Sequence, residues 1–423
     1  MLVSAFFLQM TTEILQRPDP ILKWNLRQLY WDVFWFGILA GSSIAFQAVY
    51  AARLGATGFQ IGLLSAGPAI INLIFTLPSG RWMEGKPLIK VSFRSALWQR
   101  LGYVFMVALP WVFTSPEGQI WGLIWTILVT SVAGTVLAIG FNAMFAEVLP
   151  PEWRAHAVGR RNILLAISLT VASLVSGQIL DRVVFPGNYQ VVFLIGAIGA
   201  ILSSYHIGRI RKSDPHALPV ISKVGETSMA RHKVNRGSLL RLDILKGPFG
   251  VFMLSYLAFY VFQYFPIPLF PLAFVDKLHL TDGMIGLGNA LFYGTMMLAS
   301  FRISHFSRRF GHRKVLIVSS ALFPVFPMLL GLAKGPELYY LACLTGGGVY
   351  ALLSGAIINR LMERVPADDR PAHMTIHNLA LNVGILTGSL LGPISANLIG
   401  LQPSLFLAAL LRLLAAGLFL LWG

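Results

Sequence analysis

Tyr256, Tyr260, Gln263 and Tyr264 recur at i, i+4, i+7 and i+8, which puts four hydrogen-bonding side chains on one stripe of a helix. Pro266, Pro268 and Pro271 follow and break that helix by removing amide donors. A polar aromatic stripe running into a broken end suits a wall that recognises a small molecule and moves. Gln47, Thr130 and Tyr350 occupy comparable positions inside other apolar runs. Three ionisable residues also lie within apolar runs, Asp32, Arg100 and Arg412. No nucleophile–base set accompanies them, and the one cysteine, Cys343, sits near glycines. His373 and His377 have the i,i+4 spacing of a metal pair, but only Asp368 and Asp369 stand near as further ligands. A phosphate-binding Gly-x-x-x-x-Gly-Lys-Ser/Thr loop is also missing. No catalytic residue, metal or cofactor is assigned.

The elements that carry these residues are membrane helices. Of 423 residues 56% are hydrophobic and 12% charged, and the mean hydropathy is +0.70. Soluble domains carry about 25% charged residues, so this chain has too few to solvate an aqueous surface. Windows of about 20 apolar residues predict twelve spans. The first six are Leu29–Ala52, Gln60–Met83, Ser92–Phe113, Gly118–Phe145, Val158–Leu180 and Tyr189–Ile210. The second six are Gly247–Val275, Met284–Ser304, Val315–Leu332, Leu338–Leu361, Ile376–Ile399 and Ser404–Trp422. The opening Met1–Met10 is apolar but has no basic region before it, so it is not read as a signal peptide. A short interfacial helix through Trp24 is the preferred reading of that stretch, with a plain tail or a misplaced start codon also open.

Basic residues orient the spans. One set of loops holds Arg17, Lys23, Arg27, Arg81, Lys86, Lys90, Arg94, Arg154, Arg160, Arg161, Arg302, Arg308, Arg309, Arg313, Lys314, Arg360, Arg364 and Arg370. The opposite set holds only Arg53, Arg182, Lys277 and Lys334. The positive-inside rule makes the crowded side, and both termini, cytoplasmic in a cell membrane. The net charge of +16 is then met by anionic lipid, and no nucleic-acid partner is needed.

The longest polar stretch, residues 211–246, divides the spans six and six. It separates a bundle at 29–210 from one at 247–423, with residues 1–28 as a cytoplasmic N-terminal segment. The halves repeat: Gly58–Leu63 matches Gly283–Leu287 once a residue is skipped, and Glu147–Arg154 matches Glu363–Arg370. Asn162 and Asn378 fall at the same offset. Both matches keep their sidedness, so the copies are parallel.

Twelve spans, parallel six-span halves and basic loops after spans 2 and 8 resemble the major facilitator superfamily of secondary transporters. Its loop motif reads roughly Gly-x-x-x-Asp-Arg-x-Gly-Arg-Arg/Lys. The second half keeps Arg309, Gly311, Arg313 and Lys314, with Ser304 for the first glycine and Arg308 for the acid. The first half keeps Gly85 and Lys86, has Trp82 in place of the acid, and offers Glu84 as a displaced substitute. The resemblance implies an all-α polytopic membrane protein, spans 1, 4, 7 and 10 around a central cavity, and motif loops that steady one access state. On this reading Tyr256, Tyr260, Gln263, Gln47, Thr130 and Tyr350 line the cavity. A headgroup-belt position for the tyrosines stays open.

The expected function is transport of a small solute by alternating access, by a monomer in contact with lipid. Direction is open, and so is coupling: a proton carried by Asp32 or His206, or uniport. A receptor on the same scaffold, and more remotely an intramembrane enzyme, are the rivals. Asp32 lies near the cytoplasmic end of span 1, where an ion pair with a cytoplasmic arginine competes with a proton site. Arg100 lies close enough to an end to snorkel. For Arg412, packing inside the bundle, snorkelling and a shifted register all remain.

Overall fold

The computed structural model describes residues 19–212, 242–366 and 369–423. Residues 1–18 with Arg17, most of the 211–246 connector, and Asp368 lie outside them. The described chain is helical throughout: α1 Pro20–Arg53, α2 Gly58–Met83, α3 Leu88–Val112, α4 Pro116–Val148, α5 Pro151–Arg182 and α6 Gly187–Gly208. After the connector come α7 Pro248–Lys277, α8 Asp282–Ser300, α9 His312–Leu332, α10 Pro336–Arg364, α11 Arg370–Ile399 and α12 Leu401–Trp422. A short helix, Ile303–Phe310, lies between α8 and α9.

Ten of these helices are long and apolar enough to cross a membrane, which makes the chain an all-α polytopic membrane protein. Gln99 and Arg100 lower the hydropathy of α3, as Asn289 and several glycines do in α8. Local chemistry fixes the helix starts. Pro20, Pro116, Pro151, Pro248 and Pro336 stand at first-turn positions, where no amide donor is needed. Thr57 and Gln60 form a capping box on α2, and the Ser115 and Thr281 side chains cap α4 and α8.

Several boundaries differ from expectation: α5 begins at Pro151 rather than Val158 and α11 at Arg370 rather than Ile376, and two further differences bear on the packing. Helix α1 starts at Pro20 rather than Leu29, and Trp24 is part of it instead of a separate surface helix. Its first turns are held by tertiary bonds: Trp24 Nε1 donates to Arg209 O at 2.8 Å, and Asn25 Nδ2 to Arg211 O at 2.8 Å. Helix α8 stops at Ser300, short of the expected Ser304, and the chain turns into the amphipathic Ile303–Phe310 segment.

Helix α1 packs on α5 and α6, α3 on α4 and α6, and α2 on α4. Helix α10 packs on α8 and α9, and α7 on α11 and α12. The two sets meet where α5 packs on α8 and α2 on α11. Small residues permit these approaches. Gly384, Gly388 and Gly392 lie against the α7 backbone around Tyr260, Val261 and Phe265, so any added Cβ there would collide with backbone.

Candidate functional site

Gln47 and Thr130, far apart in sequence, come together. With Gln99, Tyr103 and Ser131 they line a cavity of about 190 Å³ enclosed by α1, α2, α3 and α4. Gly102 makes room there, with its missing Cβ facing the Thr130 and Thr126 side chains. About one turn further along α4, Thr135 Oγ1 donates to Asn72 Oδ1 at 2.6 Å. Asn72 Nδ2 in turn donates to Asn382 Oδ1 of α11 at 3.2 Å. Amide and hydroxyl groups therefore run from the first-half cavity to the seam with α11, and no charged residue lines that cavity.

The second-half residues are placed differently. Tyr256 is fully buried, and its hydroxyl donates to Ile357 O at 3.0 Å. Tyr260 is 5% exposed and hydrogen-bonds His377 Nε2 at 2.8 Å. Tyr350 packs among Phe292 and Phe323. Gln263 contributes its carbonyl, which accepts from Arg412. Tyr256 and Tyr260 thus find partners on α10 and α11, and the Gln263 carbonyl is met from α12. His377 was visible in sequence only as half of a metal pair. Its Tyr260 bond, and the His373 Nδ1 contact to Asp369 O at 2.8 Å, give both rings other partners.

The buried charges are paired inside the bundle. Asp32 is 3% exposed and lies 3.3 Å from Arg161 and 3.9 Å from Arg100, and Ser203 Oγ donates to it at 2.5 Å. Arg100 does not snorkel: it is 4% exposed and donates to Ser204 Oγ at 2.9 Å. The cluster joins α1, α3, α5 and α6. Ser203→Ala removes a hydrogen bond to a charged group, so a loss of about 1.5–3 kcal/mol is expected. Thermal unfolding of the purified protein checks this, and an unchanged midpoint would show that Asp32 does not depend on that donor.

Arg412 is packed within the bundle, 3% exposed. Its guanidinium lies 3.9 Å over the Phe323 ring and donates to Gln263 O at 3.0 Å and Phe323 O at 3.4 Å. The loop-motif residues make local contacts. Gly85 and Gly311 have φ of 72° and 79°, left-handed values that favour glycine. Lys86 Nζ sits 3.3 Å over Trp82, and Arg309 5.4 Å over Phe310. Arg313 donates to Leu420 O at 2.9 Å, near the C-terminus of α12. Lys314 is exposed. Glu84, offered above as a displaced acid, is exposed and has no ion-pair partner among the described residues.

Sequence reasoning missed the opposite end, where the two sets of helices are tied together. Arg53 of α1 lies 3.0 Å from Asp282 of α8 and also donates to Leu280 O. Asp181 of α5 accepts from Thr281 Oγ1 at 2.9 Å and Gly283 N at 2.9 Å. The signal available was Arg53 itself, one of few basic residues on that side.

The family model for the Major Facilitator Superfamily matches residues 33–267 and 252–423. The chain belongs to the Major Facilitator Superfamily. That family is one of membrane transporters rather than enzymes. Solved structures share the fold. A bacterial homologue of the iron transporter ferroportin, inward-facing, aligns with TM-score 0.71 at 14% identity, over 96% of this chain and 99% of that one. The nucleoside transporter NupG gives 0.64 at 15% identity, over 94% and 98%. The xylose transporter XylE from E. coli gives 0.67 at 14%, over 94% and 97%. Among curated relatives, Multidrug resistance protein 2 of Bacillus subtilis (strain 168) is 24% identical over 150 residues, 36% of this chain. The match spans 37% of that relative's length.

Proposed function

We propose that this member is a twelve-span secondary transporter of a neutral or amphipathic small solute. Its halves, residues 29–210 and 247–423, rock about the seam between them, with the 211–246 connector and both termini on the cytoplasmic side. The observation that carries the reading is the cavity lined by Gln47, Gln99, Thr130 and Ser131, continued to the seam by Asn72 and Asn382. Hydrogen-bonding side chains without net charge recognise hydroxyl, carbonyl or amide groups and have little to offer a small ion. The ties at Arg53, Asp181 and Asp282 join the two sets of helices at the sparsely charged end. The partial likeness to multidrug resistance proteins favours export of amphipathic compounds over uptake of a polar nutrient.

Counterflow of a panel of neutral and amphipathic solutes in reconstituted vesicles tests this. Thr130→Val and Gln99→Leu each remove one polar contact, so flux of a transported solute should fall about tenfold, equivalent to the ~1.4 kcal/mol of one hydrogen bond. Unfolding midpoints should stay near the parent's. Saturable binding without flux would establish the receptor instead. Flux indifferent to both substitutions would remove this cavity from the pathway. Asp32 is held by two arginines and a serine. Uptake in Asp32→Asn vesicles with the parent's pH response would exclude it as a required proton carrier.

A further inference from the structure

At the basic end of the second half lies a polar cavity separate from the solute path. We propose that Ser307, Arg308, His312 and Asn359 form a binding site for a phosphate-bearing anion. These residues and Ile303 bound a space of about 320 Å³. They come from three elements: the Ile303–Phe310 helix, the first turn of α9, and α10. Ser307 is 8% exposed, and both its Oγ and His312 Nδ1 are buried without a hydrogen-bond partner. Arg308 and Asn359 have no hydrogen-bond or ion-pair partner among the described residues.

A buried donor without an acceptor is costly, so a site that gathers several is poised for an oxygen-rich anion. The guanidinium supplies a planar fork suited to phosphate, and the serine, histidine and asparagine add donors from other directions. A carboxylate has two oxygens to offer. A phosphate group presents its oxygens tetrahedrally, which suits donors arriving from three elements. The nearest acid, Glu363, lies 3.9 Å from His312 Nε2, but Arg360 pairs with it at 2.8 Å and offsets its charge. Phe301 and Phe310, close in the chain to Ile303 and Arg308, are exposed, so a lipid headgroup and a soluble phosphate are both within reach.

Thermal unfolding of the full chain distinguishes the sources. In one arm, detergent-solubilised protein is titrated with inorganic phosphate against chloride at equal ionic strength. In the other, it is reconstituted into phosphatidylcholine vesicles with and without phosphatidylglycerol. A saturable rise in midpoint with phosphate supports the site and names a soluble ligand. A rise only with phosphatidylglycerol supports it and names the headgroup. In either arm Arg308→Ala and Ser307→Ala should weaken the response, Arg308→Ala by about tenfold in half-saturation, while Lys90→Ala in the first half leaves it unchanged. No response in either arm, or an equal loss in Lys90→Ala, would overturn the proposal.

Discussion

Arg412→Met is expected to lower stability by about 2–6 kcal/mol, since it leaves two buried carbonyls unpaired at about 1–3 kcal/mol each. Both carbonyls are products of proline chemistry. In a regular helix Gln263 O would accept from the amide of Ile267, but past Pro266 that amide turns to Tyr264 O at 3.2 Å. Phe323 O would accept from residue 327, which is a proline and has no amide hydrogen. One guanidinium from α12 closes both gaps, and the Phe323 ring beneath it returns part of the cost of burying its charge. Arg412→Lys should recover part of the loss, because an ammonium can reach one carbonyl but lacks the fork. A double-mutant cycle with Pro327→Ala gives the sharper check. Restoring an amide at residue 327 lets the helix satisfy Phe323 O itself, so Arg412→Met should then cost less. Equal cost in both backgrounds would mean that the arginine acts by packing alone.

Asp282→Asn is expected to raise the population of the state open at the sparsely charged end by about tenfold to a hundredfold. That corresponds to the 1.5–3 kcal/mol of a hydrogen bond between charged groups. The bond spans the two halves: Arg53 ends α1 and Asp282 begins α8, and Asp282 is 7% exposed. Because alternating access requires this end to open and close, a bond made in only one state shifts the balance by its full worth. Ala51 is 1% exposed, so Ala51→Cys, made together with Cys343→Ser, reports opening through its reaction with an impermeant maleimide. Labelling should speed up in Asp282→Asn. In the charge exchange Arg53→Asp with Asp282→Arg it should fall back toward the parent's rate. Unaltered labelling in Asp282→Asn would assign closure to the Asp181 contacts and the packing of α5 on α8.

Much of the frame was legible because lipid imposes one-residue rules. Span length follows from bilayer thickness, so the helices carrying Tyr256, Thr130 and Asp32 could be placed without knowing their neighbours. The break at Pro266 and Pro268 was equally visible, since proline's missing amide is a property of the residue. The turns at Gly85 and Gly311 were suggested in the same way. The start of α1 was misjudged because its first turns are held by Arg209 and Arg211 at the end of α6, far along the chain.

What the sequence by itself determined was therefore a polytopic helical chain, its helix positions and its charge asymmetry. Which polar group meets which was decided only by the tertiary structure. Hydropathy is summed along the chain, but a hydrogen bond depends on two surfaces brought together by packing. A stripe of four side chains defines a face without naming what it faces, so Tyr260 pointing at His377 could not be read from spacing. Arg412 was unexplained for the same reason, because its carbonyl partners belong to two other helices. Arg53 and Asp282 lie 229 residues apart and meet only because the fold packs α1 and α8 end to end.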